Sequence, residues 1–194
     1  ATLPPAALYE VLPMVLAHRE LCAGVTAPWQ ATVLQALLTE PSHTEFPSLA
    51  AEVLLLGPVA VEDAFVEAVE RGSAKCLEVA ASPLALGPWL DVLRALLRRG
   101  HRRQDRTADL LLALLRRALA MPLLAAEVAS AVTAALFDTT VDGNCDAETT
   151  RALKALRRAH GRGLIEKASS ASERTRAPAL QSTLPPAHRW AAQL

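Results

Sequence analysis

The chain has 194 residues, of which 52% are apolar and only 4% aromatic, with twenty basic and twenty acidic residues that cancel at neutral pH. That length suits one domain or one compact array, and its core must be built from Leu, Ala and Val rather than from large aromatic anchors. Three scattered cysteines, Cys22, Cys76 and Cys145, form no C-x-x-C pair, which argues against a disulfide framework or zinc site and for a reducing compartment, cytoplasmic or nuclear.

Proline and glycine punctuate the chain at intervals that suit short helices. Pro4-Pro5 opens a helix over 4–12, and Pro13 is expected to kink it or restart it through 22. No basic region precedes this apolar stretch and Glu10 interrupts it, so no signal peptide is expected. Residues 21–39 are uncharged but hold Gly24, Pro28 and two glutamines; they read as part of a buried helical array, not as a membrane span. Pro28 opens a helix over 28–39, and 47–56 forms another that stops at Gly57-Pro58.

In 59–71, Val61, Ala64, Phe65, Ala68 and Val69 fall on one face of a 3.6-residue period. Gly72 is expected to end that helix in the left-handed region, with a weaker helix over 73–81. Residues 88–99 follow, closed by Gly100. Residues 106–120 are apolar nearly all round before Arg116 and Arg117, which predicts a central buried helix. Pro122 begins a helix through Phe137, a polar loop follows, and Asp146 is the expected N-cap of a helix over 146–160. A helical domain over 1–167 is thus predicted, followed by a Ser/Pro-rich tail over 168–194 that is extended or partly ordered. Strand signals are nearly absent, and the fold class is all-α.

Two stretches resemble each other: APWQATVLQALLTE at 27–40 and GPWLDVLRALLRR at 87–99. Each places proline in a first helical turn, where its missing N–H costs nothing, then a tryptophan that can cover a helix joint, then a Leu/Ala stripe. Trp29 and Trp89 are therefore expected to be packing residues. The sixty-residue offset suits two helix-pair units of about thirty residues each. TLPPA at 2–6 recurs at 183–187. Short Leu/Ala-rich helices with this punctuation and weak repeat resemble the HEAT and armadillo-like superfamily of α-solenoids. The resemblance implies a repeat array of about eight to ten short helices and a non-enzymatic scaffold or adaptor that binds protein partners.

Charge is unevenly spread. Residues 1–90 carry ten acids and three bases, a net −7, and residues 91–194 carry ten acids and seventeen bases, a net +7. Seventeen arginines against three lysines, with a single isoleucine and a single asparagine, mark a codon bias, so arginine excess alone signals no function. The candidate partner-binding residues are Arg98, Arg99, Arg102, Arg103 and Arg106, around one helix–helix junction, and Arg151, Lys154 and Arg158, along one helix face. They suit an acidic protein segment; phosphates of a nucleic acid are the alternative, though no aromatic residues interleave to stack bases. Glu62, Asp63, Glu67 and Glu70 form an acidic face with little compensation beyond Arg71, open to a basic partner or a second copy.

DTTVDGNCDAET at 138–149 places Asp138, Thr140, Asp142 and Asp146 on calcium-loop ligand positions and Gly143 on the sixth. Its twelfth position is Thr149 rather than glutamate, so a turn leading to a capped helix is expected. No catalytic motif is present, and the five histidines have no spaced partners. No enzyme activity, metal or cofactor is expected.

Overall fold

A computed structural model describes residues 5–17, 27–57, 59–79, 83–121 and 126–182. Among them are nine helices: α1 (Pro5–Ala17), α2 (Ala27–Leu37), α3 (Phe46–Leu56), α4 (Asp63–Val79), α5 (Leu86–Arg99), α6 (Gln104–Leu119), α7 (Ala126–Leu136), α8 (Thr139–Gly143) and α9 (Ala147–Ser182). A 3₁₀ turn, Pro83–Ala85, leads into α5. The described residues contain no strand, and none of their helices is long and apolar enough to cross a membrane.

The core follows from the Leu/Ala/Val composition. Its largest fully buried side chains are Phe46, Phe65 and a set of leucines centred on α5. Helix α5 buries Leu86, Leu90, Val92, Leu93, Ala95, Leu96 and Leu97 because α3, α4, α6, α7 and α8 all pack against it. It is therefore α5, not the helix predicted over 106–120, that lies at the centre. Helix α6 keeps Asp109, Arg116 and Arg117 in solvent and buries one stripe. Along the chain, α3 packs on α5, α5 on α7 and α7 on α9, while α4 packs on α6.

Several boundaries differ from the sequence reading. Helix α1 runs on through Pro13 to Ala17; the expected continuation to 22 lies outside the described residues. Gly72 does not end a helix. It sits inside α4, which joins the two helices predicted over 59–71 and 73–81, and the buried stripe is Phe65, Val66, Ala68, Val69 and Ser73. The reason is steric: a Cβ on Gly72 would lie 2.1 Å from Trp89 Cη2. The glycine is there for the indole, not for a left-handed turn. Gly100, at φ 65°, does close α5 as expected. Helix α9 continues to Ser182, so the first part of the tail predicted as extended or partly ordered, 168–182, is helical; 183–194 lie outside the described residues.

The two Pro-Trp stretches fall on α2 and α5, three helices apart and in unlike surroundings. Helix α2 packs on α1 and α3, whereas α5 is central. The sequence echo therefore marks a shared way of opening a helix, not two equivalent units. Both tryptophans are half-buried against the core, as packing residues should be, and Trp89 lies near Phe46 at a ring separation of 6.2 Å.

Tyr9 ties α1 to the turn after α2. Its hydroxyl donates to the carbonyls of Leu37 and Glu40 at 3.2 and 2.9 Å, and its ring stacks on His43. Burial, then the Glu40 charge, pushes the phenol from 10.0 up to about 12. The neutral form is the one the fold favours, so this contribution is complete below pH 10 and is lost as pH rises toward 12. Tyr9 is the chain's single tyrosine, which makes its titration directly readable. Near-ultraviolet difference absorbance should show tyrosinate forming about two pH units higher in the native protein than in urea.

Candidate functional site

The basic junction between α5 and α6 is built from side chains that turn inward to three different neighbours. Arg98 Nε donates to Asp138 at 2.5 Å, and that carboxylate, 3% exposed, is the N-cap of α8. Arg99 donates to the Leu54 carbonyl in the last turn of α3. That carbonyl lacks its usual helical donor, because the residue four positions on is Pro58, which has no N–H. Gln30 Nε2 reaches the same helix end, donating to Val53 and Gly57 carbonyls at 2.9 and 3.3 Å. Burial, then the neighbouring Arg98, lowers the Arg99 pKa; the site holds a cation because the α3 terminus is electronegative.

Arg103 bridges Glu67 at 2.5 Å and Glu70 at 2.8 Å. The Glu70 side chain is only 1% exposed; it also accepts from Thr107 Oγ1 at 3.3 Å and lies 3.5 Å from Arg106 Nε. Two of the four acids of the face expected to have little compensation beyond Arg71 are thus paired with residues more than thirty positions away, because α4 packs on α6. Glu62 also accepts from Gln35 Nε2 at 2.7 Å. His101 is wedged beside this network, and burial lowers its pKa against the pull of Glu70 and Asp63.

Of the eight candidate residues, Arg98, Arg99, Arg103 and Arg106 have partners within the fold, although the Arg98 and Arg106 side chains stay 39% and 61% exposed. Arg102, Arg151, Lys154 and Arg158 are exposed and make no ion pair among the described residues. On α9 the stripe extends one step further to Arg162, also exposed. Arg151, Lys154, Arg158 and Arg162 span about 16 Å along one helix face at 1.5 Å per residue. Arg162 was missed in the sequence because the predicted helix ended at 160, whereas α9 runs on to Ser182. Arg157, which flanks the stripe, turns the other way and forks onto Asp142 at 2.5 and 2.6 Å while donating to the Leu136 carbonyl.

The carboxylates of the calcium-like loop have protein partners. Asp138 caps α8 and holds Arg98, Asp142 holds Arg157, and Asp146 accepts from the Thr149 N–H at 2.6 Å as the cap of α9. The backbone hydrogen bond from Thr149 lowers the Asp146 pKa. No described group of three His, Cys, Asp or Glu residues is placed to hold a metal. Cys76 and Cys145 are free, half-buried thiols. Burial raises both, Cys145 to about 11 with help from Asp142, Asp146 and Asp105, which makes them poor nucleophiles.

Two open clefts meet at the start of α5. One, of about 440 Å³, lies between α3, α5 and α7 and is lined by Leu55, Leu84, Pro88 and Val128 around Glu52, Asp91 and Arg94. The other, about 720 Å³, lies between the turn before α3, α4 and the start of α5, and includes Val79, Trp89 and Lys75. Ser48, Leu84 and Pro88 line both. Leu55, Val79 and Leu84 are 41%, 69% and 58% exposed, so large apolar side chains collect at this trough in solvent. Sequence reasoning did not find it, because residues of four helices and a 3₁₀ turn compose it.

No protein-family model, curated protein or solved structure matches this chain.

Proposed function

We propose that this chain is a non-enzymatic protein–protein interaction scaffold or adaptor of the cytoplasm or nucleus, a HEAT- or armadillo-like helical array that docks an acidic segment of its partner on α9. Support for the array comes from the packing order, in which α3, α5, α7 and α9 follow one another while α4 packs on α6. Rigidity comes from helix ends closed by side chains of other helices, as Gln30 and Arg99 close α3, Asn144 closes α5 at 2.7 Å, and Arg157 closes α7. The free thiols of Cys76 and Cys145 agree with a reducing compartment.

The observation that carries the docking role is the α9 stripe: Arg151, Lys154, Arg158 and Arg162 are exposed without ion pairs among the described residues, while Arg98, Arg99, Arg103 and Arg106 of the other cluster have partners within the fold. A partner carboxylate row along a helix would meet four cations in register, with the arginine forks giving geometry. Phosphates of a nucleic acid are the alternative occupant of the same stripe.

Fluorescence anisotropy with a labelled glutamate-rich peptide and a labelled mixed-sequence duplex tests this. Peptide binding should weaken steeply between about 50 and 200 mM salt, as screening of exposed charges requires. It should fall at least about tenfold when Arg151, Lys154, Arg158 and Arg162 are changed to Glu, and hold in Arg102→Glu. Tight duplex binding with an indifferent peptide would overturn the reading in favour of nucleic acid.

A further inference from the structure

Arg94 is the side chain that the packing of this protein leaves unexplained. It lies mid-way along α5 with only 16% of its side chain exposed. Among the described residues its one hydrogen bond, from Nη2 to Asp91 Oδ1, is long at 3.4 Å, and its buried Nε meets no acceptor there. Elsewhere in this fold, buried or half-buried arginines are well used: Arg99 and Arg157 close helix ends and Arg103 bridges two carboxylates. A guanidinium drawn out of water without such partners costs free energy that an apolar residue of the same volume would avoid. It lines the cleft of about 440 Å³ beside Leu55, Leu84 and Val128.

The charges of that cleft narrow what can enter it. Arg94 resists a cation, while Asp91 and Glu52 in the same lining resist a second carboxylate. The Asp91 side chain is 38% exposed, so it is open to a donor from the cleft, and partial burial raises its pKa, partly offset by Arg94. A neutral group with an acceptor and a donor side by side satisfies both ends of the Arg94–Asp91 pair without adding charge. A trans peptide unit does not do this, because its C=O and N–H point in opposite directions. A primary carboxamide does, since its oxygen and its NH₂ share one edge.

We infer that the cleft between α3, α5 and α7 binds a peptide segment of a partner protein that carries an Asn or Gln next to an aliphatic residue. The carboxamide oxygen accepts from Arg94, its NH₂ donates to Asp91, and the aliphatic side chain lies against Leu55, Leu84 and Val128. The small residues Ala51, Gly87 and Ala131 in the lining let the segment approach closely. No residue of α9 lines the cleft, so this site is distinct from the acidic-segment face.

Selection of a random dodecapeptide display library on the full chain, followed by anisotropy with a labelled selected peptide, tests the inference. Enriched sequences should pair Asn or Gln with Leu, Ile or Val, and binding should change little with salt and be indifferent to the α9 charge reversals. Asn→Asp in the peptide, or Arg94→Met or Leu84→Asp in the protein, should each weaken it about tenfold or more. Arg94→Met should at the same time leave the melting temperature unchanged or raise it, because the variant buries no unmated guanidinium. Four results would overturn the inference: no enrichment, enrichment of acidic or basic peptides, binding indifferent to Arg94→Met, or an Arg94→Met melting temperature lower by several degrees. The last would make Arg94 a residue of the fold. A failure of salt-dependent binding on α9 leaves all these readouts unaffected.

Discussion

Gly72→Ala should destabilise the protein by about 2 kcal/mol, the cost of forcing a methyl group into a filled site, although the same change in an exposed helix interior would stabilise it by about 1 kcal/mol through helix propensity. The added Cβ would lie 2.1, 2.7 and 2.9 Å from three atoms of the Trp89 six-membered ring. A flexible side chain could swing aside. The indole cannot do so cheaply, because it is stiff and Phe46 lies 6.2 Å from it, ring centre to ring centre. The second half of the expectation is a change of sign. In a Trp89→Leu background the ring is gone, so adding Gly72→Ala should restore part of the stability that Trp89→Leu loses. Chemical denaturation of the two single variants and the double variant measures this coupling directly. Additive effects would mean that the indole does not rest on Gly72.

That pairing also shows where the sequence could be read and where it could not. The helix-opening prolines and Gly100 act through the backbone of their own segment, so a local reading locates α2, α3 and α5 to within a few residues. Asp146 is likewise a local cap, accepting from Thr149 three positions on. Gly72 carries the same local signal as Gly100 but answers to Trp89, seventeen positions away in sequence. Nothing near Gly72 distinguishes a glycine needed for its φ angle from one needed for its missing Cβ. The centrality of α5 was hidden for a related reason. Its Asp91, Arg94, Arg98 and Arg99 make it look amphipathic beside the leucine run of α6, yet Arg98 and Arg99 are drawn to Asp138 and to the Leu54 carbonyl.

The charge pattern was legible as composition and illegible as surface. The opposite net charges of the two halves are real, but part of that opposition is cancelled within the molecule, where Arg103 and Arg106 meet Glu67 and Glu70. A cluster in sequence is a cluster in space only when its side chains leave the backbone toward the same neighbour. Around the α5–α6 turn they leave toward α8, α3 and α4; along α9 the regular spacing of one helix keeps Arg151, Lys154 and Arg158 on one face. Periodicity on a single helix therefore transferred to the structure, and proximity around a turn did not.

Arg157→Ala should cost about 3 kcal/mol and lower the melting temperature by roughly 6–12 °C for a chain of this size. Both partners of the fork are well shielded, with 16% and 17% of their side chains exposed at Arg157 and Asp142. Removing the guanidinium strands the Asp142 carboxylate and takes a donor from the Leu136 carbonyl at the end of α7, and an unpaired group of that kind loses its hydration without compensation. The damage should concentrate at the corner where α7, α8 and α9 meet, and amide exchange should quicken there before it does in α3 or α5. Arg157→Met/Asp142→Leu should recover most of the loss, since replacing a shielded pair by apolar residues of similar volume avoids the stranded charge. The pattern separates this arginine from the four on the outer stripe of α9. Those should change docking and leave the melting temperature nearly where it was, whereas Arg157 should change the melting temperature and leave docking of the acidic peptide intact at temperatures where the variant stays folded.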